Sequence, residues 1–400
     1  MPEARPLTFL CITTYEKGQE FMRECKRQGC RVLLLTAEKL RNADWPESLD
    51  DTFYLPADIP LADTVQAVTH LARNQKIDRI VALDEYDMET AATLREHLRI
   101  PGMGLTSMRY FRDKLAMRMR ALDRDVRVPD FVPVLNHDDI RYYLEHVPGP
   151  WVLKPRQEAS AIGIKKIHAA EELWPVLEQL GDKQSSFLLE KFVPGEVYHV
   201  DSVVSENEVV FANVSKYGKP PMNVAQGGGV FTTFTVPRGG DEDSGLRQIN
   251  RDLIAALGLV RGVAHAEFIR VHEDRHFYFL ECAARVGGAY INEMVEAATG
   301  INLWREWARV EVAGGDGSYQ LPPVREEYAG VILSLARQEE PDTSRYNDPE
   351  VVLRIKKHHH AGLILRSGDS GRLPALLESY AQRFAEEFLA VQPPREKPTA

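Results

Sequence analysis

The first hundred residues alternate short apolar runs with amphipathic stretches, and that alternation leaves few architectures open. Thr8–Thr13 and Arg31–Thr36 read as strands on either side of a helix over Gly18–Gln28, a βαβ unit. Leu61–Asn74 carries apolar residues at helical spacing, Asp78–Leu83 reads as a buried strand, and Met88–Leu98 is an amphipathic helix ending before Pro101-Gly102. Strands joined through helices run parallel, so residues 1–105 are predicted to form an α/β domain on a small parallel sheet. Its first loop, TTYEKG, lacks the GxGxxG turn of a dinucleotide site.

The texture then changes. Connectors at Ile100–Gly104 and Arg127–Pro133 flank a basic helix, Phe111–Arg120. Beyond them Trp151–Lys154, Ile164–Ile167, Phe187–Phe192, Val197–Val204, Val209–Val214 and Val230–Val236 read as strands at hairpin-like intervals, with helices at Ala170–Leu180 and Asp241–Leu257. This is an α+β region, divided here at 106–195 and 196–320. Strands at Tyr328–Leu335, Val351–Ile355 and Leu363–Leu365 and a helix at Leu373–Leu389 make a smaller closing element, 321–392, and residues 393–400 read as a frayed tail. The fold class expected is α/β followed by α+β.

Composition narrows the partners. Lys plus Arg number 49 against 59 for Asp plus Glu, and a net charge of -10 argues against a general binder of nucleic acid or anionic membrane, though not against a local basic site. Four cysteines without a CxxC pair are too sparse for a disulfide scaffold and fit a reducing cytoplasm. No apolar run approaches the roughly 20 residues of a membrane span, and the short apolar stretch after MPEARP meets EKGQE at once, so neither signal peptide nor anchor is expected.

The most informative constellation is Glu267 in GVAHAEFIR and Glu281 in HFYFLECAAR, two apolar strands separated by HEDRH. A hairpin centred on Asp274 puts the two carboxylates directly opposite. Facing carboxylates about 5 Å apart repel by roughly 3 kcal/mol at an effective dielectric near 20, a cost that a cation between them removes. Mg2+ accepts such oxygen donors, and a slipped register would instead send both glutamates to solvent. Arg285 shares the strand parity of Glu281 and precedes Gly287-Gly288, where a guanidinium suits a phosphate or acyl phosphate.

Other candidates are weaker singly. Lys154 ends the apolar run WVLK, Lys114 lies in the basic helix, and either alone reads as a surface lysine. The loop EASAIGI offers Ser160, Ala161 and Gly163 to phosphate oxygens. Glu190, Lys191, Phe192 and Val193 end a strand whose edge suits a planar base, with Glu190 on an exocyclic amine and Glu196 on ribose hydroxyls; by itself this is also an ordinary strand and turn. Gly227, Gly228 and Gly229 lead into a β-prone strand and either let backbone approach a substrate or form a flexible hairpin. Asp84 and Glu85 end a strand of the first domain, where they face a cleft or cap the next helix. His199 and His265 read as packed residues rather than proton shuttles.

Taken in order, Lys114, VLKPRQEASAIG, EKFVPGE, HAEF and ECAAR resemble the ATP-grasp superfamily, and VALDEYDMETAATLREHLRIPGMG resembles its usual preceding domain. Within the superfamily the chain is most similar to ligases of the carnosine synthase and bacterial L-amino-acid ligase group. That resemblance implies an ATP site between two α+β subdomains. Lys114 and Lys154 would meet phosphates, Glu190 to Val193 adenine, and Glu196 ribose. Glu267 and Glu281 would hold Mg2+, or Mn2+ in its place, and Arg285 would stabilise the transferring phosphoryl group. The activity implied is ADP-forming ligation of a small carboxylate to an amine, with a homodimer as the family expectation. A carboxylase or phosphotransferase on the same frame, or a non-catalytic nucleotide-binding protein, stays open. Ala283 stands where the family often has Asn, which puts the full second metal shell in doubt.

Overall fold

The computed structural model describes residues 5–56, 58–158, 162–222, 224, 228–315 and 317–390. The N-terminal unit runs β1 (Thr8–Thr13), α1 (Gln19–Arg27), β2 (Arg31–Ala37), β3 (Asp51–Leu55), α2 (Leu61–Ala72), β4 (Arg79–Ala82) and α3 (Met88–Leu98). Its sheet has the order β3-β2-β1-β4, with every pairing parallel. Every residue of β1 is buried, and only the ends of β2 are partly exposed. Burial on both faces is why these strands read as unbroken apolar runs. The edge strand β3, DTFYL, has no counterpart among the expectations, because its half-exposed residues neither alternate cleanly nor form an apolar run.

A short helix α4 (Leu105–Met108) and the basic helix α5 (Lys114–Leu122) lead to a second sheet. It contains β5 (Phe131–Pro133), β6 (Trp151–Pro155), β7 (Lys165–Ile167) and β8 (Phe187–Lys191), antiparallel in the order β5-β8-β6-β7. Helices α6 (His137–His146) and α7 (Ala170–Leu180) cover one face, burying Ile140, Tyr143, Leu173 and Leu177 with Trp151, Leu153 and Leu189.

The third sheet has eight antiparallel strands: β9 (Gly195–Ser205), β10 (Glu208–Tyr217), β11 (Phe231–Thr235), β12 (Gly262–Val271), β13 (Phe277–Ala283), β14 (Tyr328–Leu335), β15 (Val351–Lys357) and β16 (His360–Ser367). Their order is β13-β12-β9-β10-β11-β14-β16-β15, so the C-terminal strands continue the central sheet. Helices α8 (Asp241–Leu257), α9 (Ile291–Thr299), α10 (Leu303–Ala313) and α11 (Arg372–Glu387) cover it. Leu373, Leu377, Tyr380 and Phe384 of α11 share a core with Ile332, Leu363 and Leu365.

One apolar cluster crosses between the first and third sheets, joining Phe9, Val32 and Leu34 to Val263, Met294, Val295 and Val310. Phe21 of α1 meets Trp307 of α10 edge to face, with ring centroids 5.3 Å apart. Burial of this shared surface fixes the loop after β4, which carries Asp84 and Glu85, against the central sheet. Among the described residues no helix is long and apolar enough to cross a membrane.

Candidate active site

The hairpin of β12 and β13 sets Glu267 directly opposite Glu281, with His265 opposite Ala283 and Ala266 opposite Cys282. Nearer the turn the register differs by one: Phe268 pairs with Phe279 and Arg270 with Phe277, so the hairpin is not centred on Asp274 along its whole length. A bulge at Leu280 takes up the extra residue. Without it Leu280 rather than Glu281 would face Glu267.

Each carboxylate meets a protein donor. Glu281 lies 3.0 Å from the Lys114 ammonium, which also donates to the Glu158 carbonyl at 2.6 Å. Lys114 reaches this point because Asp113 caps α5, accepting from the Leu115 amide at 3.0 Å, while Asp113 is itself gripped by Arg156. Glu267 accepts a 2.7 Å bond from the Tyr217 hydroxyl and lies 3.6 Å from Nε2 of His265. Behind it His265 and His199 approach the two oxygens of buried Asp201 at 2.8 and 2.7 Å, and His199 reaches Thr233 at 2.8 Å. Burial alone would lower His265, but the Asp201 carboxylate, with Glu267, raises it to about 9. Burial likewise opposes ionised Glu267 and Asp201, and their histidine partners hold both low. Gly287 closes this network: a Cβ there would sit 3.0 Å from Nδ1 of His265 and 3.1 Å from Oδ1 of Asp201.

Helix α5 supplies a second cation one turn beyond Lys114. Arg118, fully buried, donates from Nε to Glu190 at 2.6 Å, and Lys154 holds the other oxygen of the same carboxylate. Glu190 is thus enclosed between two cations, which keep it ionised against burial. The expectation assigns its carboxylate to an adenine amine; the structure gives that carboxylate to Arg118 and Lys154. Strand β8 ends at Lys191, whose amide donates to Asp130, and the Phe192 amide donates to Pro150, with the Lys166 ammonium 3.9 Å from the Phe192 ring centroid. Val193 packs with Val197 and Ile269. Glu196 pairs with Lys216 and accepts from the Tyr198 hydroxyl at 3.3 Å.

Arg285, two residues beyond the end of β13, forks onto Glu85 of the N-terminal unit from Nη2 and from Nε, the latter at 3.1 Å. Arg112 approaches the other Glu85 oxygen at 3.8 Å. Burial would raise the Glu85 carboxyl, yet Arg285, with Arg112 and Lys114, draws it down to about 2. Asp84 caps the next turn, accepting from the Tyr86 amide at 3.1 Å. The two acids therefore divide the roles of cap and cleft.

Gly163 takes a φ of 70°, and a Cβ there would lie 2.9 Å from Pro155, so glycine suits this turn after Lys154. Gly228 and Gly229 precede β11, and Gly288 has open space on its Cβ side. Ser160, Ala161 and Gly227 lie outside the described residues. Sequence reasoning did not single out Arg112, Arg118, Lys216, Tyr217 or Asp201. Arg118 had a legible signal, since it lies four residues after Lys114 on one helix face. The others depend on strand neighbours or distant contacts. The His358–His360 run reaches the β15–β16 hairpin turn, where His358 is exposed and lies 3.3 Å from Glu339.

The three-sheet α/β protein thus gathers lysines, facing carboxylates and an arginine at its subdomain junction, a set whose charges suit phosphate groups. Residues 147–293 match the model of the ATP-grasp domain, and the chain carries that fold. Its solved neighbours include an L-amino acid ligase from Bacillus licheniformis, with a TM-score of 0.75 at 18% identity over 97% of this chain and 99% of that one. Another is the N5-carboxyaminoimidazole synthetase of Staphylococcus aureus complexed with ADP, at 0.71 and 15% over 94% and 96%. Among sequences, an L-arginine-specific L-amino acid ligase from Bacillus subtilis is 28% identical over 244 residues, 59% of this chain and 58% of that protein. An alanine–anticapsin ligase from the same species is 25% identical over 272 residues, 62% and 56%. The chain thus spans less than two thirds of the length of these curated relatives.

Proposed function

We propose that the chain is an ADP-forming carboxylate–amine ligase that moves the γ-phosphoryl group of ATP to a small carboxylate, such as that of an amino acid, and lets an amine displace the phosphate. The observation that carries this reading is the meeting of Lys114, Glu281, Arg285 and Glu85 where the N-terminal unit packs on the central sheet. Hydroxide leaves a carboxylate poorly, whereas phosphate leaves readily, so the protein's work is charge neutralisation and alignment.

Lys114 and Lys154 supply positive charge for phosphate oxygens, and the stretch Lys191 to Val193 is the candidate adenine face, with the Lys191 and Phe192 amides engaged by Asp130 and Pro150. Arg285 balances the charge that develops on the transferring phosphoryl group, and Glu85 fixes its orientation through the two-pronged contact. Facing Glu267 and Glu281 form an oxygen donor set that fits Mg2+, with Tyr217 and His265 orienting Glu267; Ala283 contributes no donor beside them. Bound there, Mg2+ would neutralise phosphate charge. The buried, unpaired cysteines support a reducing cytoplasm as its location. A homodimer is proposed on family grounds and is checked by sedimentation.

The test is ADP release from Mg-ATP across pairs of amino acids and amines, with products identified by mass. ADP formation that needs both partners and yields a condensed product supports the ligase. ADP formation that needs bicarbonate instead favours a carboxylase, the reading suggested by the likeness to N5-carboxyaminoimidazole synthetase.

A further inference from the structure

A cavity of about 240 Å3 lies between the N-terminal unit and the central sheet, lined from one side by β4 and α3 and from the other by the start of β12 and by α10. None of the residues assigned above to nucleotide, metal or phosphoryl groups lines it. Three arginines do, Arg79, Arg95 and Arg261, together with Glu311. Arg261 is paired with Glu206. Arg79 and Arg95 form no ion pair among the described residues: Arg79 donates to the carbonyls of Asp78 and Glu311, and Arg95 to those of Ile80 and Met103. A guanidinium has five N–H groups, so both arginines keep donors in reserve. Glu311 accepts from the Trp307 indole at 3.3 Å and feels all three arginines. Positive charge is in excess over the carboxylates here, within a chain whose net charge is -10.

Met88, Met103 and Leu259 give the wall an aliphatic patch, with Ser107 and Trp307 also lining it. The volume falls below the roughly 300–1,000 Å3 of pockets that take drug-sized ligands, which limits an occupant to about the size of an amino acid. We propose that this interdomain cavity binds a small amphipathic carboxylate. Its carboxylate rests on Arg79 and Arg95, its short aliphatic tail on Met88, Met103 and Leu259, and Glu311 takes an ammonium where the ligand has one. Ala284 at the cavity wall precedes Arg285, and β4 leads into the loop of Glu85, but neither Arg285 nor Glu85 lines the cavity. Binding is independent of the ligase reading.

The four native cysteines are buried, which makes Ser107→Cys at the cavity wall a selective target for a maleimide. Labelling is timed without ATP or Mg2+, with L-leucine, 4-methylpentanoate or 3-methylbutylamine as probe. At ten times Kd a bound probe slows labelling about tenfold. Protection by leucine alone identifies a zwitterion that uses Glu311, and protection by 4-methylpentanoate identifies a plain acid; the amine should not protect. Equal protection by the amine, or none from either acid up to about 10 mM, overturns the proposal, since even a weak site of about 1 mM would then be filled. Protection that disappears with Arg285→Ala moves the ligand to the phosphoryl end and also overturns it. Arg95→Met should abolish protection, and if that variant misfolds, the Ser107→Cys measurement in the otherwise native chain still decides.

Discussion

Buried Arg118 and Glu190 meet part-buried Lys154 where α5 reaches β8, and the balance of the three charges makes a prediction opposite to what side-chain size suggests. Arg118 is larger than Glu190, and both are buried. Glu190→Gln preserves shape but leaves Arg118 and Lys154 facing each other with no counter-charge. Breaking a buried ion pair from one side costs roughly 3–5 kcal/mol. Arg118→Met removes one charge-assisted hydrogen bond, worth about 1.5–3 kcal/mol, and opens some space beside Phe279. It also removes Nη1 and Nη2, which are buried without a hydrogen-bond partner among the described residues, so about 1–3 kcal/mol of desolvation cost is relieved. Lys154 and Glu190 remain a neutral pair. Glu190→Gln should therefore be the more damaging change by about 2 kcal/mol.

Urea unfolding followed by tryptophan fluorescence provides the comparison, because Trp151 lies on the same strand as Lys154. Glu190→Gln should show the lower midpoint at pH 7 and the weaker ATP binding, since Lys154 loses the group that aims it. A midpoint for Arg118→Met equal to or below that of Glu190→Gln would refute the charge argument and show that packing around Arg118 outweighs the charge balance.

Glu281→Gln and Arg285→Ala should each abolish product formation while leaving far-UV circular dichroism unchanged; native rates in both would remove the site assignment. Glu85 is held at about 2 against an ordinary 4.5, so its contribution is present in full above pH 4.5 and lost as pH falls toward 2, at most about 3 kcal/mol. The unfolding midpoints of native protein and Glu85→Gln should accordingly differ by the full amount at pH 6 and draw together only as pH falls below 4.5 toward 2, and equal midpoints at pH 6 would contradict this. Gly287→Ala places a methyl 3.0–3.1 Å from His265 and Asp201 and should cost about 1–3 kcal/mol while raising the Mg2+ concentration needed for half-maximal turnover. An unchanged Mg2+ dependence would show that the network does not orient Glu267.

What the sequence made legible follows the range of the interactions involved. Parallel strands buried on both faces appear as apolar runs, and β1, β2 and β4 are visible for that reason. The pairing of Glu267 with Glu281 is a hairpin property, fixed by a short turn and the period of two along a strand. Even so, the carboxylates meet through a bulge at Leu280 rather than through a uniform register, and no spacing rule predicts where such an extra residue falls. Glu85 and Arg285 are separated by 200 positions, and Arg118 and Glu190 by 72. Their meeting depends on how whole subdomains pack. The expectation for Glu190 shows that limit: a strand pattern singles out the residue, but only the packed helix α5 supplies the buried Arg118 that, with Lys154, pairs with its carboxylate. For this chain, then, local pattern singles out the candidate residues, and the charge pairs formed across subdomain contacts decide which of their atoms are already engaged.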